Sequence, residues 1–304
     1  MSVKKTPITL LLTVLLILTG CAGSLTRLEP ASRKAQAEEL AQSAGFSRVV
    51  WSSTPHPLWS YTRLTSAASS EVIYVYIEGD GVLQINQYGQ SYLSNDPTPS
   101  PQLPLMLAAW HAQFAPQDSV VYMARPCQFT HYTREDKCIQ MDWLKGRYGP
   151  KVVESFSTAL DGLRAKVQRD VKFHLVGYSG GGTIAMLLAN TREDIAQVTT
   201  LAANLDHETF FRLHQETYPP EPFDLIARPE KVAGTPQLHV VGGSDPIVPE
   251  SIVQAYKSKL SAKGVLRGVE VERIEGQNHH NVPGWQKVWQ QVLPQLRSTV
   301  IPAR

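Results

Sequence analysis

Gly177-Tyr178-Ser179-Gly180-Gly181-Gly182 is the segment whose residue types and spacing could do chemistry most directly. It fits G-x-S-x-G and falls between a predicted strand, Val171–Val176, and a run of small and apolar residues, Gly181–Asn190, that suits a helix. The motif requires that context. A sharp strand-to-helix turn lifts a serine hydroxyl clear of a sheet, and glycines two residues either side leave room for closely passing backbone. Free N–H groups at the helix start, with the positive end of its dipole, then face a developing oxyanion. The chemistry would be acyl transfer through Ser179. Glycine-rich turns of this kind also cradle phosphates. Here no Gly-Lys-Ser/Thr follows, and no acidic residue stands where a ribose partner would fall.

A serine hydroxyl is a weak nucleophile and needs a base, which in turn needs an orienting carboxylate. Gly242-Gly243-Ser244-Asp245-Pro246 follows the predicted strand Leu238–Val241, so Asp245 falls at the sheet edge where Ser179 stands. Gly276-Gln277-Asn278-His279-His280 follows the last predicted strand, Val269–Ile274. Either histidine can reach inward; His279 is preferred and His280 is the alternate. Asp206, after strand Val198–Ala203, is the reserve acid. The chain order Ser, Asp, His is the one the motif's context calls for.

The elements that must position these residues follow from periodicity. Val72–Ile77 is a continuous β-branched and aromatic run, as in a strand buried on both faces. Further strands are predicted at Phe46–Trp51, Trp59–Leu64 and Ser119–Met123. Helices are predicted at Ser32–Ala44, from the Pro-rich stretch Pro97–Pro104 through Trp110, at Ile252–Lys263 and at Trp285–Leu296. Lys151–Arg169 is amphipathic, with Val152, Phe156, Leu160, Leu163 and Val167 on one stripe. Strands alternating with helices predict an α/β fold: a mostly parallel sheet with helices on both faces. Residues 205–235, rich in aromatics and proline, interrupt the alternation and read as an irregular, cap-like insertion or a surface excursion.

The 304 residues suffice for a substantial core, and a formal charge of +2 without a long basic run argues against nucleic acid. Lys4 and Lys5 precede an apolar stretch, Ile8–Leu18, that is short for a membrane span and has the layout of a secretory signal. Leu18-Thr19-Gly20-Cys21 resembles the lipobox of bacterial lipoproteins. That resemblance implies lipidation of Cys21 and, since Ala22 rather than Asp follows, outer-membrane anchoring facing the periplasm. Export suits Cys127 and Cys138, the two remaining cysteines, as a disulfide closing the polar loop that holds His131. A metal site using His131 lacks a fourth ligand at any usual spacing. His56, His111, His174 and His239 stand alone and read as packing or surface residues.

From about Phe46 onward the chain resembles the α/β-hydrolase superfamily, and more closely a family of proteobacterial lipoprotein α/β hydrolases of unassigned role. The stretches that carry the likeness are Tyr76–Gly81, Ala124–Gln128, Gly177–Gly182, Asn204-Leu205-Asp206 and Gly284-Trp285. The resemblance implies a triad of Ser179, Asp245 and His279, with an oxyanion hole from the N–H of Gly180 and one from the loop after Val72–Ile77, at Asp80. Many esterases carry His-Gly-Gly in that loop, whereas Glu78-Gly79-Asp80-Gly81 stands here. A carboxylate in the hole would oppose the charge it must stabilise, so both acidic side chains are expected to turn away and bond to backbone. The expected organisation is a signal peptide at 1–20, a lipidated tether and helix at 21–45, and a hydrolase domain at 46–304. The expected function is an envelope serine hydrolase for a small or lipid-like ester or thioester, without cofactor or metal. The alternatives are a non-catalytic binding lipoprotein on the same fold, or an acyltransferase with the same triad.

Overall fold

The computed structural model describes residues 29–65, 71–87, 89–130, 138–215 and 223–300. The signal segment with Cys21, the loop residue His131, and residues 216–222 of the insertion lie outside the described residues. In chain order the elements are α1 (Pro30–Ser43), β1 (Ser47–Trp51), β2 (Leu58–Arg63), β3 (Val72–Ile77), β4 (Gln84–Gln87) and β5 (Gln90–Leu93). Next come α2 (Leu103–Phe114), β6 (Ser119–Met123), α3 (Gln140–Trp143), α4 (Pro150–Val167), β7 (Lys172–Tyr178) and α5 (Gly180–Thr191). The rest are β8 (Ile195–Leu201), α6 (His207–His214), α7 (Pro229–Gly234), β9 (Gln237–Gly242), α8 (Ser251–Ala262), β10 (Val269–Ile274) and α9 (Val282–Val300).

Eight strands form one sheet in the order β1-β2-β6-β3-β7-β8-β9-β10. From β6 to β10 every neighbour is parallel, while β1 pairs antiparallel with β2 and β2 with β6. Strand alternation sorts the side chains into two layers. Ile73, Val75 and Ile77 of β3 pack with Phe156 of α4, Ile184 of α5 and Ile252 of α8. Tyr74 and Tyr76, on the opposite face, pack with Ala37 of α1, Leu105 of α2 and Trp289 of α9. Helices therefore cover both faces, which is why the central strands are buried along nearly their whole length instead of alternating with exposed residues.

Two departures from the sequence expectation stand out. The hairpin β4–β5 is not signalled by periodicity, because Gln84–Gln87 and Gln90–Leu93 carry little apolar pattern. The 205–235 insertion is less irregular than its composition suggests. It contains α6 and α7, and α6 is amphipathic, burying Phe210 and Phe211. Asp206 starts α6 by accepting a hydrogen bond from the Thr209 N–H at 2.9 Å.

Candidate active site

Ser179 sits between the end of β7 and the start of α5 with φ +52° and ψ −124°. A non-glycine residue in this region is strained by about 1–3 kcal/mol and persists only where its surroundings fix it. Its N–H donates to Leu201 O at 2.9 Å and its carbonyl accepts from Gly182 N at 3.0 Å. Glycine is required at Gly177 and Gly181 by close approach: a Cβ on Gly177 would collide with the Gly181 carbonyl, and one on Gly181 with the Ile77 carbonyl. The glycine spacing read in the sequence is thus a packing requirement where β3, β7 and α5 converge.

The loops after β9 and β10 bring the partners. His279 Nε2 lies 3.1 Å from Ser179 Oγ, and His279 Nδ1 lies 2.7 Å from Asp245 Oδ2. Asp245 is buried, and its Oδ1 accepts from the Ile247 and Val248 N–H groups at 2.8 and 2.9 Å, which fixes the carboxylate plane. The His279 carbonyl accepts from Tyr178 Oη at 2.8 Å and Trp285 Nε1 at 3.0 Å. The base loop is therefore pinned to the serine turn on one side and to α9 on the other. His280 is exposed, with its ring perpendicular to that of His279. The reserve acid, Asp206, is placed elsewhere: it caps α6 and pairs with Lys259 at 2.5 Å. Burial would raise its pKa, but Lys259 and the Thr209 hydrogen bonds outweigh this and hold it below the usual carboxylate range.

Gly79 lies against Ser179, so that a Cβ on it would come within 3.5 Å of the serine Cβ. The Gly79 N–H is taken by Glu78 Oε1 at 2.9 Å. Among the described residues no acceptor engages the N–H of Asp80 or of Gly180. Both N–H groups are thus without an acceptor among these residues, one in the turn of Ser179 and one in the loop that packs against it.

The acidic side chains of this loop behave differently from one another. Glu78 bonds to backbone as expected, and its Oε2 also accepts from Tyr122 Oη at 2.9 Å. Asp80 departs from the expectation, because its partners are side chains. Oδ1 accepts from Arg125 at 2.9 Å, and Oδ2 accepts from Arg147 Nε at 3.1 Å and Tyr148 Oη at 2.6 Å. Burial would push its pKa up, but the two guanidiniums and the tyrosine hydroxyl prevail and hold it below the usual range. One carboxylate against two guanidiniums leaves a local excess of positive charge, so Asp80 does not make its surroundings repulsive to an anion. Its carboxylate packs on the Cα of Gly180, where a Cβ would collide with it. That explains glycine at a position the motif leaves open.

Burial pushes Glu78 up to about 8, against the opposing pull of the Gly79 N–H, Tyr122 and Arg125. The group is therefore neutral at pH 7. The folded chain keeps a proton that the unfolded chain releases near ~4.3, so its contribution to stability falls as pH rises from ~4.3 to about 8 and is level above that. Ionisation places a negative charge beside the oxyanion loop, worth on the order of 1–3 kcal/mol at an effective dielectric near ~20. In wild type, kcat is expected to fall about tenfold above pH 8, and Glu78→Gln, neutral at every pH, is expected to abolish that fall. Steady-state pH profiles of the two proteins check this, and identical alkaline limbs would refute it.

Three other histidines, His111 on α2, His174 on β7 and His239 on β9, serve packing. His111 bridges Tyr76 and Asp118, His174 bonds to Thr199, and His239 to Thr200. Burial pushes His174 and His239 down to about 3, so both are neutral. Cys127 and Cys138 form a disulfide with Cα atoms 5.7 Å apart. A cleft of about 490 Å³ opens at Ser179 and His279 and is lined also by Val82, Leu103, Phe210 and Ile247. The insertion thus contributes Phe210 and His214 to the cleft wall. No described helix is long and apolar enough to cross a membrane.

Comparison with solved structures places this geometry in a known fold. An esterase of Pyrococcus furiosus superposes with a TM-score of 0.60 at 11% identity, covering 87% of this chain and 95% of its own. An α/β serine hydrolase homologue from Coxiella burnetii gives 0.54 at 14% identity, with 82% and 97% covered. A membrane phospholipase A that is a bacterial virulence factor gives 0.56 at 15% identity, with 89% and 92% covered. No curated protein matches the sequence. The fold is that of the α/β hydrolases. Residues 107–292, well over half of the chain, match the family described as serine hydrolase (FSH1), and the chain belongs to that family of serine hydrolases.

Proposed function

We propose that this serine hydrolase cleaves an ester or thioester through an acyl-enzyme on Ser179, acting at the bacterial cell envelope. The observation that carries the reading is the unbroken line from Ser179 Oγ through the His279 ring to Asp245, at 3.1 and 2.7 Å. His279 Nε2 accepts the serine proton as Oγ attacks the carbonyl carbon, and Asp245 stabilises the imidazolium. The tetrahedral oxyanion is received by the Gly180 and Asp80 N–H groups. Collapse expels the alcohol or thiol, protonated by His279. Water, deprotonated by the same ring, then releases the acid. The apolar side chains beside Ser179, Val82, Leu103, Phe210 and Ile247, suit an acyl chain.

The envelope assignment is supported by the leader-like residues 1–20, by Cys21 and by the Cys127–Cys138 disulfide, which persists in oxidising compartments. A fluorophosphonate probe on cells expressing the full chain tests both parts. One labelled band, lost in Ser179→Ala, is expected in the membrane fraction, and Cys21→Ala is expected to move it to the soluble fraction. A folded wild-type protein that takes no label would overturn the acyl-enzyme, and an unchanged distribution of Cys21→Ala would overturn the lipid anchor.

A further inference from the structure

His56, in the turn between β1 and β2, is 3% exposed, yet among the described residues neither of its ring nitrogens has a hydrogen-bond partner. Two unsatisfied nitrogens at a buried site carry a desolvation cost of about 1–3 kcal/mol each, which native proteins seldom leave uncompensated. The ring faces the cystine: a ring nitrogen of His56 and the Sγ atoms of Cys127 and Cys138 all lie within 4.8 Å of one another. Asp142, at the start of the short helix α3, places Oδ1 3.7 Å from His56 Nε2, while its Oδ2 is held by the Ile139 N–H at 3.0 Å.

We propose that in its dithiol form this cluster is a binding site for one thiophilic d10 cation such as Zn²⁺, ligated by Cys127, Cys138 and His56 with water in the fourth position. Ligands on one tetrahedral zinc stand about 3.3–3.8 Å apart, given bonds of ~2.0–2.3 Å. The three donor atoms already lie within 4.8 Å of one another, so once the S–S bond opens, side-chain shifts of about 1–2 Å bring them to those separations. Asp142 Oδ1, 3.7 Å from Nε2, would need only a small shift to accept a hydrogen bond from Nε2–H while Nδ1 ligates, the arrangement that orients most metal-bound imidazoles. The donor set differs from the one considered in sequence, because His56 lies 71 and 82 residues from the two cysteines and no spacing motif links them. Entry requires the disulfide to open. A dithiol donates two electrons and two protons to the S–S bond and becomes a disulfide itself, leaving two thiols here. The cation then displaces both thiol protons. Cystine and metal are thus mutually exclusive states of one site.

The full-length protein, reduced anaerobically with a phosphine, tests this by titration with Co²⁺ and then Zn²⁺. In that reduction the phosphine takes the oxygen of water and becomes a phosphine oxide, and the cystine becomes two thiols. One Co²⁺ per chain is expected, with a thiolate-to-cobalt charge-transfer band that Zn²⁺ abolishes and the oxidised protein never shows. His56→Asn and His56→Gln are each expected to weaken Zn²⁺ binding at least tenfold in competition with a chelator. Circular dichroism follows folding in the same samples; a reduced protein that has loosened is expected to refold on adding Zn²⁺. The proposal is overturned by reduced wild type that neither develops the band nor responds to Zn²⁺, or by histidine variants that bind Zn²⁺ as tightly as wild type.

Discussion

His279→Ala is expected to lower kcat for p-nitrophenyl ester hydrolysis by about 10⁴–10⁶-fold, while His280→Ala stays within about threefold of wild type. The two residues are adjacent in sequence and share one loop, so the difference is a matter of geometry alone. His279 is buried between Ser179 and Asp245, with its carbonyl tied to Tyr178 and Trp285, whereas His280 is exposed. Removing the imidazole leaves Ser179 without a proton acceptor and Asp245 with an unsatisfied buried oxygen. Asp245→Asn should cost about 10⁴-fold, because an amide that donates to Nδ1 fixes the wrong tautomer. Parallel assays of the three variants at one pH decide the matter. Equal activity of the two alanine variants would remove the basis of the triad.

Arg125→Met is expected to destabilise the fold by about 3–5 kcal/mol, far more than an exposed arginine would. Arg125 is 5% exposed and donates to Asp80 Oδ1 at 2.9 Å and also to the Arg147 carbonyl. Loss of the guanidinium strands part of a buried carboxylate and removes positive charge from the neighbourhood of the oxyanion hole. Activity is therefore expected to fall along with stability. The double variant Arg125→Met/Asp80→Asn is expected to regain more than half of the lost stability, since the penalty comes from the unpaired charge and not from lost volume. Urea unfolding of wild type, both single variants and the double variant gives the coupling directly. A single Arg125→Met variant with the wild-type midpoint would show that Arg147 and Tyr148 suffice to hold Asp80.

The two expectations rest on different kinds of neighbour. Tyr178 and Trp285 act on the base through its backbone, and Arg125, Arg147 and Tyr148 act on the oxyanion loop through Asp80. The Gly284-Trp285 pair and the Ala124–Gln128 stretch stand out in the sequence, but nothing in them states what they hold. In the structure Trp285 holds the His279 carbonyl, and Gln128 Nε2 donates to the Gly79 carbonyl at 3.0 Å. Both stretches support the site from outside it.

Local chemistry by itself determined the serine turn, because a G-x-S-x-G sequence between a strand and a helix has few other uses, and steric crowding leaves glycine little freedom to vary. It also determined the mostly parallel α/β architecture, since largely apolar strands alternating with amphipathic helices can be buried only with helices on both faces. Tertiary structure alone decided which histidine meets Ser179, because a shift of one residue in a loop reverses the direction of a side chain without changing any local propensity. It likewise decided the surroundings of Asp80, whose partners lie 45, 67 and 68 residues away. The pairing of His56 with the cystine belongs to the same class. Contacts between distant segments leave no periodic signature, since their energy depends on where the sheet order β6-β3-β7 brings the loops and not on any neighbour along the chain.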